Sequence, residues 1–286
     1  GWSAIKKGEK SRTYKTSYWV GDEEKATENL DGDDTKVIID RLLPFIEKSV
    51  KNKKPFFTTV WPHTPHLPVV TSDYYKNKYY GMTNKEKLYY GCITALDDQI
   101  GRLWENLEEK GIAENTMIWF CSDNGPENGT PGSAGHLKGR KRSLHEGGLR
   151  TPAFVVWPAK LKGNKRVDFP AFTSDYLPTV LSVLDIEYPS NRPLDGVDLM
   201  PFLKKTKKER KKPMGFRYKK QISWVNHQYK LITKDNGKTY ELYDLLNDVS
   251  EVKNIIKKEP ELAKKMQEEL GVWLVSVNNS KNGNDY

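Results

Sequence analysis

Three stretches of this sequence gather residue types that can do chemistry. The first is His63-Thr-Pro-His66-Leu-Pro, two imidazoles in a proline-rich loop. The second is Asp123-Asn124-Gly125, whose side chains offer a carboxylate and a carbonyl oxygen, hard ligands suited to Ca2+ or Mg2+. The third runs from His136 to Arg150 and packs cations around Lys141 ahead of Glu146-Gly147-Gly148. Each has an ordinary structural reading by itself. Asp-Asn-Gly is a common turn, the histidines suit a surface loop, and Gly139-Arg140-Lys141-Arg142 suits a basic one. Two glycines after Glu146 suit a bend that needs positive φ. The combination is more demanding: a hard-cation site beside protonated lysine and histidine donors can neutralise a tetrahedral sulfate or phosphate. It can also stabilise the charge that develops on a leaving oxygen.

Such groups need a scaffold, and the surrounding residues outline one. Pro55–Trp61, just before the first loop, is a short β-rich run that reads as a buried strand. Met117–Ser122 precedes the second loop and Ala153–Trp157 follows the third, and both read the same way. Helices are expected over Thr35–Val50, with Asp33 and Asp34 as N-cap candidates, and over Asp175–Leu184, with Ser174 as cap. The clearest helix spans 84–110, where Leu88, Cys92, Leu96, Ile100, Leu103 and Leu107 make one apolar stripe that Gly111 closes. Strands alternating with helices predict an α/β chain built on a doubly wound, mainly parallel sheet. Ligand groups should then converge at the carboxyl ends of its strands. After about residue 212 the pattern changes to short strands, Gln221–Val225, Tyr229–Thr233 and Thr239–Tyr243, with Asn236-Gly237 as the clearest turn. A helix over Pro260–Trp273 follows. The expected organisation is a larger α/β part over 1–212 and a small antiparallel α+β subdomain over 213–286.

Lys and Arg number 47 against 38 Asp and Glu, a formal net charge of +9 that favours anionic partners. The dense run Lys204–Lys212 reads as a solvated loop ahead of Pro213. No recognisable nucleic-acid module is present, and no apolar run approaches the ~20 residues of a membrane span. Cys92 and Cys121 lie in apolar stretches, without a CxxC spacing, as buried thiols do.

These motifs resemble the sulfatase family of the alkaline-phosphatase superfamily. Asp123-Asn124-Gly125-Pro126 resembles the family's second metal-ligand pair, which completes a Ca2+ site. Gly139-Arg-Lys141-Arg-Ser-Leu-His-Glu146-Gly147-Gly148-Leu-Arg150-Thr-Pro152 is similar to the G-x-K-x-x-x-x-E-G-G-x-R-x-P signature, which makes Lys141 the lysine that holds sulfate. Pro62-His63-Thr-Pro-His66-Leu-Pro68 looks like the P-H-x-P loop. By that match His66 faces the leaving group, and His63 joins His66 and Lys141 in contacting substrate. Tyr240–Asp248, with Glu251 and Asn254, resembles the terminal motif. The resemblance to bacterial polysaccharide sulfatases implies hydrolysis of a sulfated carbohydrate or aryl sulfate, export to the periplasm or medium, and a formylglycine nucleophile made in C/S-x-P/A-x-R. Neither Cys92 nor Cys121 stands in that context, and the family's first metal half-site is also missing. The expectation is therefore a carboxyl-terminal portion of a longer sulfatase, inactive alone. A phosphodiesterase or phosphonate hydrolase of the same superfamily, or a non-catalytic polyanion binder, is the alternative.

Overall fold

A computed structural model describes residues 17–21 and 23–285. The chain divides into two compact units, Gly1–Thr116 with Gly129–Gly132, and Met117–Asn128 with Ser133–Tyr286.

In the first unit, a two-residue ladder pairs β1 (Trp19–Val20) with β2 (Glu24–Lys25). Helix α1 (Asp34–Lys51) starts where the Asp33 carboxylate accepts the Lys36 N–H at 3.1 Å, and it runs through Pro44 without a break. Its inner face buries Val37, Ile39, Leu42 and Ile46. The short α2 (Asp73–Asn77) lies against α3 (Asn84–Glu109) at Gly91, where an added Cβ would meet Thr71 Cγ2 at 2.8 Å. A capping box opens α3: the Glu86 N–H donates to the Thr83 hydroxyl at 3.3 Å, and the Thr83 N–H donates to the Glu86 carboxylate at 2.9 Å. Gly111, at φ +67°, follows its last turn, as expected. Of the expected apolar stripe, Cys92 and Leu107 are buried, while Leu88, Leu96, Ile100 and Leu103 are half-buried. The strand expected over Pro55–Trp61 does not form. These residues have no regular secondary structure and no ladder partner among the described residues, and Phe57 and Trp61 are 74% and 79% exposed. A β-rich run becomes a buried strand only when a neighbour takes up its backbone groups.

In the second unit, β3 (Ile118–Cys121) forms where expected but is half-buried, and the chain returns through α4 (Glu146–Leu149) to β4 (Ala153–Val156), whose first two residues are exposed rather than buried. The two strands pair antiparallel, Ile118 opposite Val156 and Cys121 opposite Ala153, with Phe120 stacked on Phe154. A mainly parallel sheet was the expectation, yet every strand pair among the described residues is antiparallel. The connection explains this. Between Cys121 and Ala153 the chain turns back and re-enters the ladder beside the end it has just left, with Ala153 opposite Cys121, which is an antiparallel return. Helices α5 (Tyr176–Leu184) and α6 (Met200–Leu203) follow. Arg210, within the run expected to be solvated, is 1% exposed. It makes a bidentate pair with the equally buried Asp175 at 2.8 and 2.9 Å, above the Phe172 ring.

The antiparallel meander of β5 (Met214–Tyr218), β6 (Gln221–Val225), β7 (Tyr229–Thr233) and β8 (Glu241–Asp244) belongs to the same unit. Asn236 and Gly237 take φ of +60° and +87°, and the Asp235 carboxylate ties the turn by accepting the Lys238 and Thr239 N–H groups, both at 3.0 Å. Alternation along the strands gives the meander two apolar faces. Ile222, Trp224, Leu231 and Leu242 face α7 (Pro260–Lys281), packing on Ala263, Met266 and Leu270. Ile232 and Tyr243 point the other way and pack against Leu144, just ahead of α4, and Leu149, its last residue.

Candidate active site

The expected site residues fall in both units: His63 and His66 in the first, and Asp123, Asn124 and Lys141 in the second. In the first unit, the Pro-His-Thr-Pro loop is fastened to the start of α1. The Asp34 carboxylate, 1% exposed, accepts the His63 N–H and, at 3.1 Å, the Thr64 hydroxyl. His63 Nδ1 stands 3.6 Å from the same carboxylate. His66 is exposed and its Nδ1 lies 2.7 Å from the Leu67 carbonyl, which fixes the ring and leaves Nε2 on the far side. Asp34 offers an N-cap candidate to the sequence reading; in the structure its carboxylate holds the histidine loop.

In the second unit, Asp123 and Asn124 follow directly from β3, Asp123 exposed and Asn124 half-buried. Three segments lock here through their main chains. The Gly125 N–H donates to the Gly148 carbonyl at 3.0 Å, the Lys141 N–H to the Pro126 carbonyl at 3.1 Å, and the Gly147 N–H to the Lys138 carbonyl at 2.7 Å. Glycine is required for closeness. A Cβ would lie 1.9 Å from the Gly147 oxygen at Gly125, 2.2 Å from the Gly139 oxygen at Gly147, and 2.1 Å from the Ser143 oxygen at Gly148. Neither Gly147 nor Gly148 has the positive φ expected from sequence, whereas Gly139, at +83°, does. The pair serves backbone approach rather than a left-handed bend.

This interlock joins the Lys141 main chain to Pro126, two residues past Asn124. The Lys141 side chain is 21% exposed, with the ammonium 4.0 Å from Glu127. Glu127 is held chiefly by Arg142, at 2.5 and 2.6 Å, and that hydrogen bond keeps its carboxyl below the usual carboxylate range. Arg142 thus has a partner of its own. Among the described residues, neither the Asp123 carboxylate nor the Asn124 amide is taken up by a hydrogen bond or ion pair, so two hard oxygen donors stand available at the strand end. That donor set fits a Ca2+ ion, which takes about 6–8 oxygens in all. No group of three or more His, Cys, Asp or Glu side chains among the described residues forms a metal cage.

Beneath the loop lies a buried ionic network that single motifs do not reveal. Lys230 on β7 is 0% exposed, with its ammonium 2.6 Å from Glu146 Oε1 and 3.2 Å from Glu251 Oε1. Glu251, also 0% exposed, accepts the Glu146 N–H at 2.6 Å and stands 2.9 Å from His145 Nδ1. Burial would raise the Glu251 carboxyl. The His145 hydrogen bond, the Lys230 charge and the Glu146 amide outweigh it and hold the group below its ordinary value. Lys138 adds two bonds, to the Tyr243 hydroxyl at 2.9 Å and the Glu251 carbonyl at 3.2 Å. The meander thereby grips the Lys138–Glu146 loop from below. Glu146 and Glu251 belong to recognisable motifs, but Lys230 lies 84 residues from Glu146 in an ordinary strand, and no local pattern marks it.

The Sulfatase family model matches residues 2–186, and the model for the N-sulphoglucosamine sulphohydrolase C-terminal region matches 135–275. A sulfatase of Formosa agariphila is 26% identical over 290 residues, covering 85% of this chain and 50% of its own. Human N-acetylgalactosamine-6-sulfatase is 31% identical over 175 residues, 59% of this chain and 32% of its own. The chain thus spans half or less of the length of these curated relatives. Among solved structures, Ps i-CgsB, also determined in complex with k-i-k-neocarrahexaose, aligns at a TM-score of 0.81 and 27% identity. It covers 88% of this chain and 56% of its own. The alkaline-phosphatase-like α/β fold expected from the motifs is carried by that likeness.

Proposed function

The chain belongs to the sulfatase family, and from that premise we propose that the protein hydrolyses sulfate esters of a carbohydrate, with a sulfated polysaccharide as the natural substrate. The observation that supports the proposal is the glycine interlock, which ties the loop bearing Lys141 by its main chain to Gly125 and Pro126, directly after the Asp123-Asn124 pair at the end of β3. Asp123 and Asn124 hold Ca2+, which would draw negative charge from the sulfate oxygens. Lys141 binds the sulfate and stabilises the oxygen that departs. His66 assists departure of the alcohol, and His63, fastened by Asp34, completes the contact with substrate. The covalent nucleophile in this reading is a formylglycine. Cys92 does not supply it, since Ile93-Thr94-Ala95-Leu96 after it does not complete C/S-x-P/A-x-R. Among the described residues, no helix is long and apolar enough to cross a membrane. The substrate is a large extracellular polymer, and the protein is an exported one.

The test separates Lys141 from its neighbour. In the intact protein assayed with an aryl sulfate, Lys141→Ala lowers kcat/KM by about a hundredfold or more, as loss of one donor to a developing oxyanion does. Arg142→Ala, whose side chain is already engaged by Glu127, costs far less. Equal losses would mean a general basic patch and would overturn the assignment.

A further inference from the structure

The positive charge of this chain is concentrated where the proposed chemistry does not use it. Residues 158–168 hold four cations and one carboxylate, and residues 204–212 hold seven and one; their net charge of +9 equals the formal net charge of the entire chain. Of these cations, Arg210 is withdrawn into its buried pair with Asp175, and Arg166 pairs with Asp168 at 2.6 Å. The two stretches meet at a groove of about 230 Å³ lined by Lys160, Lys162, Lys165 and Lys204, with Val155, Leu161, Val167 and Leu203 as its apolar walls. All four lysines are exposed, no carboxylate lines the groove, and none of the four ammonium groups has an ion-pair partner among the described residues. Four like charges around one concavity repel one another, and the repulsion is relieved when an anion enters.

We propose that this groove is a docking site for a sulfated polysaccharide chain, separate from the site that cleaves the ester. The proposal rests on the sulfatase reading for the identity of the polyanion. Position sets the groove apart. It adjoins the Val156 end of β4, which pairs with Ile118, whereas Asp123 follows Cys121 at the opposite end of the same ladder. Chemistry selects the occupant. Aliphatic walls with no aromatic side chain suit the C–H faces of sugar rings and offer no platform for stacking a base, which single-stranded nucleic acid uses. Lysine ammonium groups are point charges that suit sulfates spaced along a flexible polymer. A second hold of this kind raises the local concentration of further ester groups without touching the reacting one.

The experiment compares the intact protein with the variant K160A/K162A/K165A/K204A, using dextran sulfate, unsulfated dextran and a single-stranded oligonucleotide as probes. The expected result is dextran sulfate binding at least tenfold weaker in the variant. The slope of log affinity against log salt should fall by about 3, near 0.7 per lost phosphate-like contact. The wild type should prefer dextran sulfate to the oligonucleotide and ignore dextran, and an arginine version of the four lysines should keep binding. Turnover of a small aryl sulfate stays unchanged in the variant, and its absence in both proteins would remove the sulfatase reading while leaving the binding result to be judged alone. Unchanged dextran sulfate affinity and slope would overturn the proposal. So would an oligonucleotide bound as tightly as dextran sulfate, which would make the groove a nucleic-acid surface.

Discussion

Replacing Lys230 by methionine tests whether the meander holds the Lys141 loop by charge. The methionine keeps most of the side-chain volume and deletes the ammonium, leaving Glu146 and the fully buried Glu251 without the cation 2.6 and 3.2 Å away. Breaking a buried ion pair by removing one partner costs about 3–5 kcal/mol. For a protein of this size a loss of 1 kcal/mol lowers Tm by about 2–4 °C, so a fall of roughly 10 °C is expected at neutral pH. The pH dependence carries the stronger signature. Glu251 is held below its ordinary carboxyl value, so its contribution is complete above the unfolded value of 4.5 and is lost as pH falls through the lower folded value. Without Lys230 that folded value moves up, and the variant gains from protonation where the wild type loses. The gap between the two melting curves therefore closes as pH drops below about 4.5, the unfolded Glu value. Thermal unfolding followed by circular dichroism from about pH 2.5 to about pH 8 measures this. A Lys230→Met protein that melts within 2 °C of wild type at pH 7, or whose deficit is flat across that range, would show that the network holds nothing.

Gly125→Ala should lower Tm by several degrees and weaken Ca2+ binding in calorimetry, because its Cβ would sit 1.9 Å from a backbone oxygen; Gly101→Ala, with nothing within 4 Å, should not. Leu231→Ala, at a 0% exposed position between the meander and α7, should cost about 2–5 kcal/mol in a denaturant titration. Cys92, its thiol raised to about 12 by burial, should resist iodoacetamide at pH 8 in the native protein and react once urea unfolds it; fast native labelling would contradict that burial.

What the sequence makes legible here is local. Asp33 before an apolar 3.6-residue period, Gly111 after one, and Asn236-Gly237 between two β-rich runs each carry their own physical cause, and the elements appear where those residues put them. The chemistry-bearing loops are legible for another reason, since Asp123-Asn124 and Lys141 sit in motifs long enough to match a family. Pairing between distant segments is not written locally. Nothing in Pro55–Trp61 tells whether a neighbour will accept its backbone, and nothing in Ile118–Cys121 says that the chain will come back antiparallel. Arg210 looks like one more cation in a lysine run, and only Asp175, 35 residues away, explains its burial. Lys230 is the same case, a charge in an apolar strand whose partners lie on two other segments.

Because Gly125, Gly147 and Gly148 meet oxygens of the main chain rather than side chains, the close approach of these segments depends first on the glycines. Side chains only reinforce that frame: Arg140 donates to the Glu127 carbonyl at 3.2 Å, Arg142 pairs with the Glu127 carboxylate, and the Ser143 hydroxyl accepts the His145 N–H at 3.2 Å. Selection, or a protein engineer, can therefore change the charge and reach of these side chains at less cost to the backbone path than any change at the three glycines. Lineages with different sulfated substrates would be expected to diverge at Arg140 and Arg142 long before they lose a glycine.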